Sequence, residues 1–421
     1  MRRKSATIMR QRFTTAGARS SLFSRRAFLA CCSALAARAA SLPKITSFRT
    51  HKHTLGNRDY LFLEVITDNG LIGLGEGSLP YRVEIVEQAI RWLEPHLVGQ
   101  PASGVEDHWN RIYHQLSRWR DGSVLMTALA AVDIALWDLE GKRLQEPVWR
   151  LLGAAEAKRL RAYYSHWDHG VQSRTEAGWA DWTAQSKAKG WTAVKWVVPR
   201  HGNEQERIRR TVADIASVRK AGGPDFEIAL EMFETFTVRS AIAFAEAVAP
   251  YRPWFIEEPV LRENPQTLGE VAARSPVPLA GGEGLLTRYD FKALLDARGA
   301  RILQPDVVHC GGITELRKIS ALCEIYGGEM APHMWYGPVA HVASLQAMMP
   351  VRNFLAQEWD GGSEALFTEL TRGTFPTQSG GGVQPADKPG LGLEMDWALM
   401  DRRFPYAGRR VTPQITPRKN G

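Results

Sequence analysis

The chain of 421 residues is 44% hydrophobic, enough to bury a large core, and its length fits one barrel-sized unit with a smaller domain better than a single unit. Its formal charge of +8 misleads: nine of the 53 basic residues lie in residues 1–41, which hold no acid, and removing them leaves 44 basic against 45 acidic residues. Composition therefore gives no reason to expect nucleic-acid binding, and four cysteines, two of them in that basic start, argue against a disulfide framework.

Residues 1–41 read as an export signal. Ser24-Arg25-Arg26-Ala27-Phe28-Leu29 carries a twin arginine, a short apolar stretch runs to Ala37, and Ala37-Arg38-Ala39 gives a small-x-small cleavage pattern. The expectation is a folded protein exported by the twin-arginine route to the bacterial periplasm, with a disordered basic tail as the alternative. The apolar stretch is too short to stay in a bilayer, so no stable membrane anchor is expected. Cleavage would remove Cys31 and Cys32 and leave Cys310 and Cys323. Cys310 stands beside His309, but it precedes Gly311-Gly312 and reads better as a small residue in a tight turn than as a nucleophile, since no activating arrangement is evident.

Over residues 42–155 the pattern is α+β. Tyr60 to Thr67 and Leu71 to Leu74 flank Asp68-Asn69-Gly70, a hairpin with a tight turn, and helical periodicity follows from Val83 to Leu97 and from Ser123 to Leu144. Strands followed by helices make a domain separate from what comes after. Gly73-Leu74-Gly75-Glu76-Gly77 superficially suggests a nucleotide-binding loop, yet it ends a hairpin strand instead of opening a helix in a βαβ unit.

Over residues 156–380 six ionisable residues recur at near-constant spacing. Glu231, Glu257, Glu283, Asp306, His333 and Glu358 are separated by 26, 26, 23, 27 and 25 residues, an interval of one strand, one helix and two loops. Each of the first four ends or follows an apolar run, and helical stretches lie between them at Val238 to Ala249, Asn264 to Arg274, Thr287 to Ala297 and Ile313 to Tyr326. Groups recurring at every strand end indicate a (β/α) barrel, whose chemistry gathers at its C-terminal face. A doubly wound sheet shows the same alternation but clusters its groups at one switch point. Three carboxylates followed by an Asp and a His have the composition of a divalent-metal site with a base beside it.

The residues that follow carry a resemblance: AVDIALWDLEGKRLQEPVWRLLG (Ala131 to Gly153), GWTAVKWVVP (Gly190 to Pro199), FIEEP (Phe255 to Pro259), Gly281-Gly282-Glu283, QPDVVHCGGITE (Gln304 to Glu315), Pro332-His333 and PGLGLEMD (Pro389 to Asp396). In this order and spacing the chain resembles the enolase superfamily, within it the mandelate racemase/muconate lactonizing enzyme group, and there the acid-sugar dehydratases of galactonate type. The resemblance implies a modified TIM (β/α) barrel of class α/β over residues 156–380, capped by the α+β domain of residues 42–155, with residues 381–421 returning to the cap. It also implies a Mg²⁺ ion held by Glu231, Glu257 and Glu283, and His333 as acid/base oriented by Asp306. Lys195 would be a cation near the substrate carboxylate, Glu358 an acid bonding the intermediate, and the assembly a homo-oligomer.

Three positions depart from the family's pattern. Glu231 stands where Asp is usual, which leaves Glu234 open as an alternative ligand or base. Phe233 stands where dehydratases often have His, and Val197 where racemases have a second Lys. With one base in view, the expected reaction is removal of the proton α to a carboxylate and β-elimination of water, turning a sugar acid into a 2-keto-3-deoxy acid. Racemisation or epimerisation of a carboxylate, and non-catalytic periplasmic sugar-acid binding, are the alternatives. Substrate contacts are expected from cap loops around His51 to Asp59 (His51, His53) and Arg118 to Asp121 (Arg118, Trp119, Arg120), and from His309, Trp335 and Tyr336 as pocket walls.

Overall fold

Three antiparallel strands begin the part of the chain that the computed structural model describes, which is residues 42–115, 120 and 122–408. Residues 1–41, with the expected export signal, lie outside the described residues, as do Arg118, Trp119 and Asp121. Strands β1 (Ile45–Leu55), β2 (Arg58–Thr67) and β3 (Ile72–Glu76) form the sheet, with the anticipated hairpin between the last two. Its first strand was not anticipated, because ITSFRTHKHTL alternates too weakly to announce itself. β3 lies directly on the helix Ser123–Leu144: a Cβ on Gly73 would come within 2.1 Å of Ala135 O, and one on Gly75 within 2.1 Å of Ala131 O. Only glycine permits that approach.

Eight parallel strands follow in ring order: β4 (Leu160–Tyr164), β5 (Ala193–Val197), β6 (Glu227–Glu231), β7 (Phe255–Glu257), β8 (Leu279–Gly281), β9 (Ile302–Leu303), β10 (Glu329–Met330) and β11 (Gln357–Trp359), with β11 beside β4. A parallel bridge between Met330 and Phe354 closes the ring, Leu355 N donating to Met330 O over 2.8 Å. The helices between strands fall where periodicity placed them, at Val238–Val248, Pro265–Arg274, Arg288–Asp296 and Gly312–Ile325. Thr237, Asn264 and Thr287 open the first three by accepting a backbone N–H with the side chain, which satisfies a donor that the first turn leaves free.

A period of two decides what faces the barrel axis. Ala193, Ala229, Phe255 and Ala356 belong to the packed interior, and two residues further on come Lys195, Glu231, Glu257 and Glu358. The same face thus supplies a dry plug below and an ionisable rim above it.

The tail returns to the cap. β12 (Gly382–Val383) pairs antiparallel with β4, Leu391 N donates to Asp138 over 2.7 Å, and Trp397 Nε1 donates to Glu64 over 2.9 Å. His51 stacks on Trp397 with ring centroids 3.9 Å apart, and His53 Nδ1 lies 3.1 Å from Phe404 O. These two histidines therefore belong to strand β1 and hold the tail; the expectation that they meet substrate is corrected, since both rings are engaged there. Arg120 lies over the Tyr113 ring, 4.8 Å from its centroid.

Buried carboxylates join cap and barrel: Asp133 of the helix Ser123–Leu144 accepts from Thr314 N over 3.0 Å, and Glu76 makes a second such link. Glu76, at the end of β3, accepts from Gly337 N (2.6 Å) and Ala340 N (2.9 Å) at the start of the helix Pro338–Met348, and from Ser78 Oγ (2.7 Å). Burial pushes its carboxyl up to about 7 against those three bonds. Glu76→Ala would leave two buried N–H groups unpaired and is expected to cost about 3 kcal/mol of unfolding free energy, measured by urea denaturation. A loss below about 1 kcal/mol would show that the junction does not depend on it.

Candidate active site

The strand register brings the first two carboxylates together, because Glu231 pairs with Glu257 across β6 and β7. Glu283, two residues beyond β8, completes a group in which one oxygen from each lies within 4.8 Å of the others. Glu231 and Glu257 are buried and Glu283 is half-buried. Burial, and then repulsion by Glu257, holds the Glu231 carboxyl well above its ordinary range. Burial and Glu257 also raise Glu283, with His333 pulling the other way. Three hard oxygen ligands that destabilise one another's ionised form are the donor set that a divalent cation relieves.

The backbone turns sharply directly after Glu231. Phe233 and Glu234 take φ of 51° and 54°, and that turn lets Phe233 N donate to Glu231 Oε1 over 2.6 Å. The same turn carries Glu234 off to Arg262 Nη1 at 2.7 Å. Glu234 is thereby occupied, and the acid that stands with Glu257 and Glu283 in a group able to hold a metal ion is Glu231.

Lys195 ties the rim together. Its Nζ lies 2.8 and 2.7 Å from the two oxygens of Glu257, 2.9 Å from Glu358 and 4.0 Å from Glu231. Burial alone would lower its pKa, but Glu257 and Glu358 hold it well above the ordinary value, so it remains an ammonium. Glu358 answers in kind: against its burial, Lys195 and His333 push its carboxyl down to about 2. It also accepts from Met334 N over 3.0 Å and from the Ser165 hydroxyl.

Across the rim, His333 Nδ1 lies 2.7 Å from Asp306 Oδ2, and Nε2 lies 3.1 Å from Glu283. Asp306 is itself pinned by Val308 N at 2.7 Å. Burial would depress the imidazole, yet Glu283, Glu358 and Asp306 together push it up to about 10.

These groups surround a cavity of about 140 Å³, whose lining includes Lys195, Glu231, Glu283 and His333 with Phe233 and Trp335. His309 does not line it: its ring nitrogens go to Thr127 Oγ1 (2.8 Å) and Tyr336 Oη (2.6 Å), so it supports the wall through Tyr336. Cys310 is fully buried in the turn before Gly311, and burial holds its thiol well above the ordinary range, which leaves no thiolate there.

Sequence reasoning missed four neighbours. Gln304 donates to Glu257. Arg58 sits 3.9 Å over the Trp335 ring and donates to Trp335 O at 3.3 Å, reaching the site from the cap. Ser165 and His166 line the cavity directly after β4. Carrying the strand-end interval back to the apolar run LRAYY would have found the last two; Arg58 falls in the cap segment His51 to Asp59 expected to reach the mouth, though nothing local singles it out there.

A capped, closed barrel with three acids on adjacent strand ends and a His–Asp pair beside them defines an enolase-type enzyme scaffold. Residues 34–153 match the mandelate racemase/muconate lactonizing enzyme N-terminal domain, and residues 179–399 match the enolase C-terminal domain-like family. The chain belongs to the mandelate racemase/muconate lactonizing enzyme family of the enolase superfamily. It is 34% identical over 366 residues to a D-galactonate dehydratase of Cronobacter sakazakii, covering 84% of this chain and 92% of that one. Among solved structures it is similar to a mandelate racemase/muconate lactonizing enzyme from a Sulfitobacter species (TM-score 0.79, 28% identity, 87% of this chain and 97% of that one). It is also similar to a mandelate racemase/muconate lactonizing enzyme-like protein from a Roseovarius species (TM-score 0.78, 29% identity, 86% and 96%).

The raised Glu231 carboxyl has a measurable consequence. A divalent cation takes the ionised form, so binding is expected to release protons and to strengthen as pH rises. Calorimetric titrations in buffers of different ionisation enthalpy read this directly. Heats that do not depend on the buffer would contradict it, and Glu231→Gln should reduce the release.

Proposed function

We propose that this protein is a Mg²⁺-dependent sugar-acid dehydratase, a hydro-lyase that converts a 2,3-dihydroxy acid into a 2-keto-3-deoxy acid. The observation that carries the reading is the His333–Asp306 pair at 2.7 Å opening on the cavity beside the three carboxylates, while Lys195 is locked as a cation. The similarity to a D-galactonate dehydratase supports it.

Mg²⁺ held by Glu231, Glu257 and Glu283 would stabilise the second negative charge that develops on the substrate carboxylate and relieve the pull of Glu283 on His333. His333 Nε2 removes the α-proton, while Asp306 fixes Nδ1–H and steadies the imidazolium that forms. The Lys195 ammonium lies where charge accumulates on the enediolate, and Glu358 holds that ammonium in place. The imidazolium then gives its proton to the departing 3-hydroxyl: the C3–O bond breaks, water leaves, and the enol tautomerises to the 2-keto acid. No second base is required, which suits Val197 and the Lys195 ion pairs better than racemisation does. Residues 1–41 extend the proposal to a periplasmic enzyme delivered folded.

A panel of aldonates and aldarates with Mg²⁺ should yield a 2-keto acid from at least one member, with His333→Ala reducing turnover by at least about 10³-fold. Deuterium entering the α-position from D₂O without loss of water would replace this reading with racemisation.

A further inference from the structure

The chemistry above leaves one ionisable side chain of the cavity without a task. His166 follows β4 with φ of 51°, a left-handed conformation uncommon for residues other than glycine. Its ring stacks on Trp335, with centroids 5.0 Å apart and planes 19° from parallel, and it lines the same cavity as Lys195 and His333. Its Nδ1 lies 3.0 Å from Ser165 Oγ.

The next bond along fixes the tautomer of that ring. Ser165 Oγ also bonds Glu358 Oε1, and Glu358, ionised because Lys195 and His333 overcome its burial, can only accept. The hydroxyl hydrogen of Ser165 therefore points to Glu358, and the hydroxyl oxygen is left to accept from His166. The imidazole proton must sit on Nδ1. Burial holds this ring well below its ordinary pKa, so it is neutral and Nε2 carries a lone pair. Among the described residues Nε2 has no hydrogen-bond partner. Beside it, the buried indole N–H of Trp335 has none either. A lone pair left open on a neutral ring of the cavity wall calls for a hydrogen-bond donor, which a hydroxyl is and a carboxylate is not.

We propose that His166 Nε2 is the acceptor for a hydroxyl on the carbon chain of the bound acid, and that Ser165 and Glu358, by fixing the tautomer, make this cavity select polyhydroxylated acids over their deoxygenated counterparts. The inference rests on the sugar-acid reading above and adds to it a subsite separate from the metal ligands and from the His333–Asp306 pair. It makes Glu358 a positioning residue for two groups at once, the ammonium of Lys195 and the imidazole of His166.

The test is equilibrium binding of an aldonate panel to the Mg²⁺-supplemented protein by titration calorimetry, including D-galactonate and its singly deoxygenated analogues. For the acid that binds, removing one particular hydroxyl should cost wild type about tenfold in affinity. His166→Phe should lose about the same factor for the full acid and no longer distinguish that analogue. In parallel, ¹⁵N spectra of the wild type should show His166 neutral and protonated at Nδ1, with the Nε2–H form appearing in Ser165→Ala. Equal losses across all analogues, discrimination retained in His166→Phe, or an Nε2–H tautomer in the wild type would each overturn the inference. If no aldonate binds, the sugar-acid reading falls with it; if the discrimination is seen but no 2-keto acid forms, dehydration alone is lost.

Discussion

The mouth of this barrel is organised around one buried ammonium. Lys195 rises from β5 and reaches carboxylates on β7 and β11, with a third on β6 at 4.0 Å. Removing one partner from such a buried cluster leaves an uncompensated charge and costs several kcal/mol, typically about 3–5, so these strand ends are held in mutual register by electrostatics as well as by backbone bonds. The same pairing decides the chemistry. An ammonium held among anions cannot act as a base, and in the proposed reaction proton abstraction falls to His333, which has Asp306 behind it. The cation thus shapes the reaction by what it is prevented from doing.

Much of this architecture was legible in the chain. Strand ends recurring every 23 to 27 residues, the first four after apolar runs, are enough to order a barrel and to put Glu231, Glu257, Glu283, Asp306, His333 and Glu358 on one rim. Period two then explains why small interior residues such as Ala229 and Ala193 sit two positions before functional ones. Helix starts were readable because Thr237, Asn264 and Thr287 are local signals whose partners lie within three residues. What could not be read are contacts between distant segments. Arg58 meets Trp335 across 277 positions, and His53 meets the tail across 351; no local pattern encodes either.

Two candidates chosen for their nearness in sequence to catalytic positions show a related limit. Glu234 follows Glu231 by three residues, yet a left-handed turn delivers it to Arg262. His309 follows Asp306 by three, yet both its nitrogens are satisfied by Thr127 and Tyr336. A polar side chain joins a site when its hydrogen-bonding capacity is left open toward the cavity, and that depends on neighbours which sequence spacing does not reveal.

The junction at Glu76 bears on how such proteins can be rebuilt. The segment carrying His333, Trp335 and Tyr336 runs straight into the helix Pro338–Met348, and the first turn of that helix is satisfied by a carboxylate from the other domain. The cap is therefore structural backing for the catalytic wall as well as a cover over it. Grafting a relative's cap onto this barrel to change what it accepts would succeed only when the donor brings an acid at the end of its third strand. A chimera lacking it would leave the Gly337 and Ala340 N–H groups unpaired and loosen the wall along with changing the old specificity.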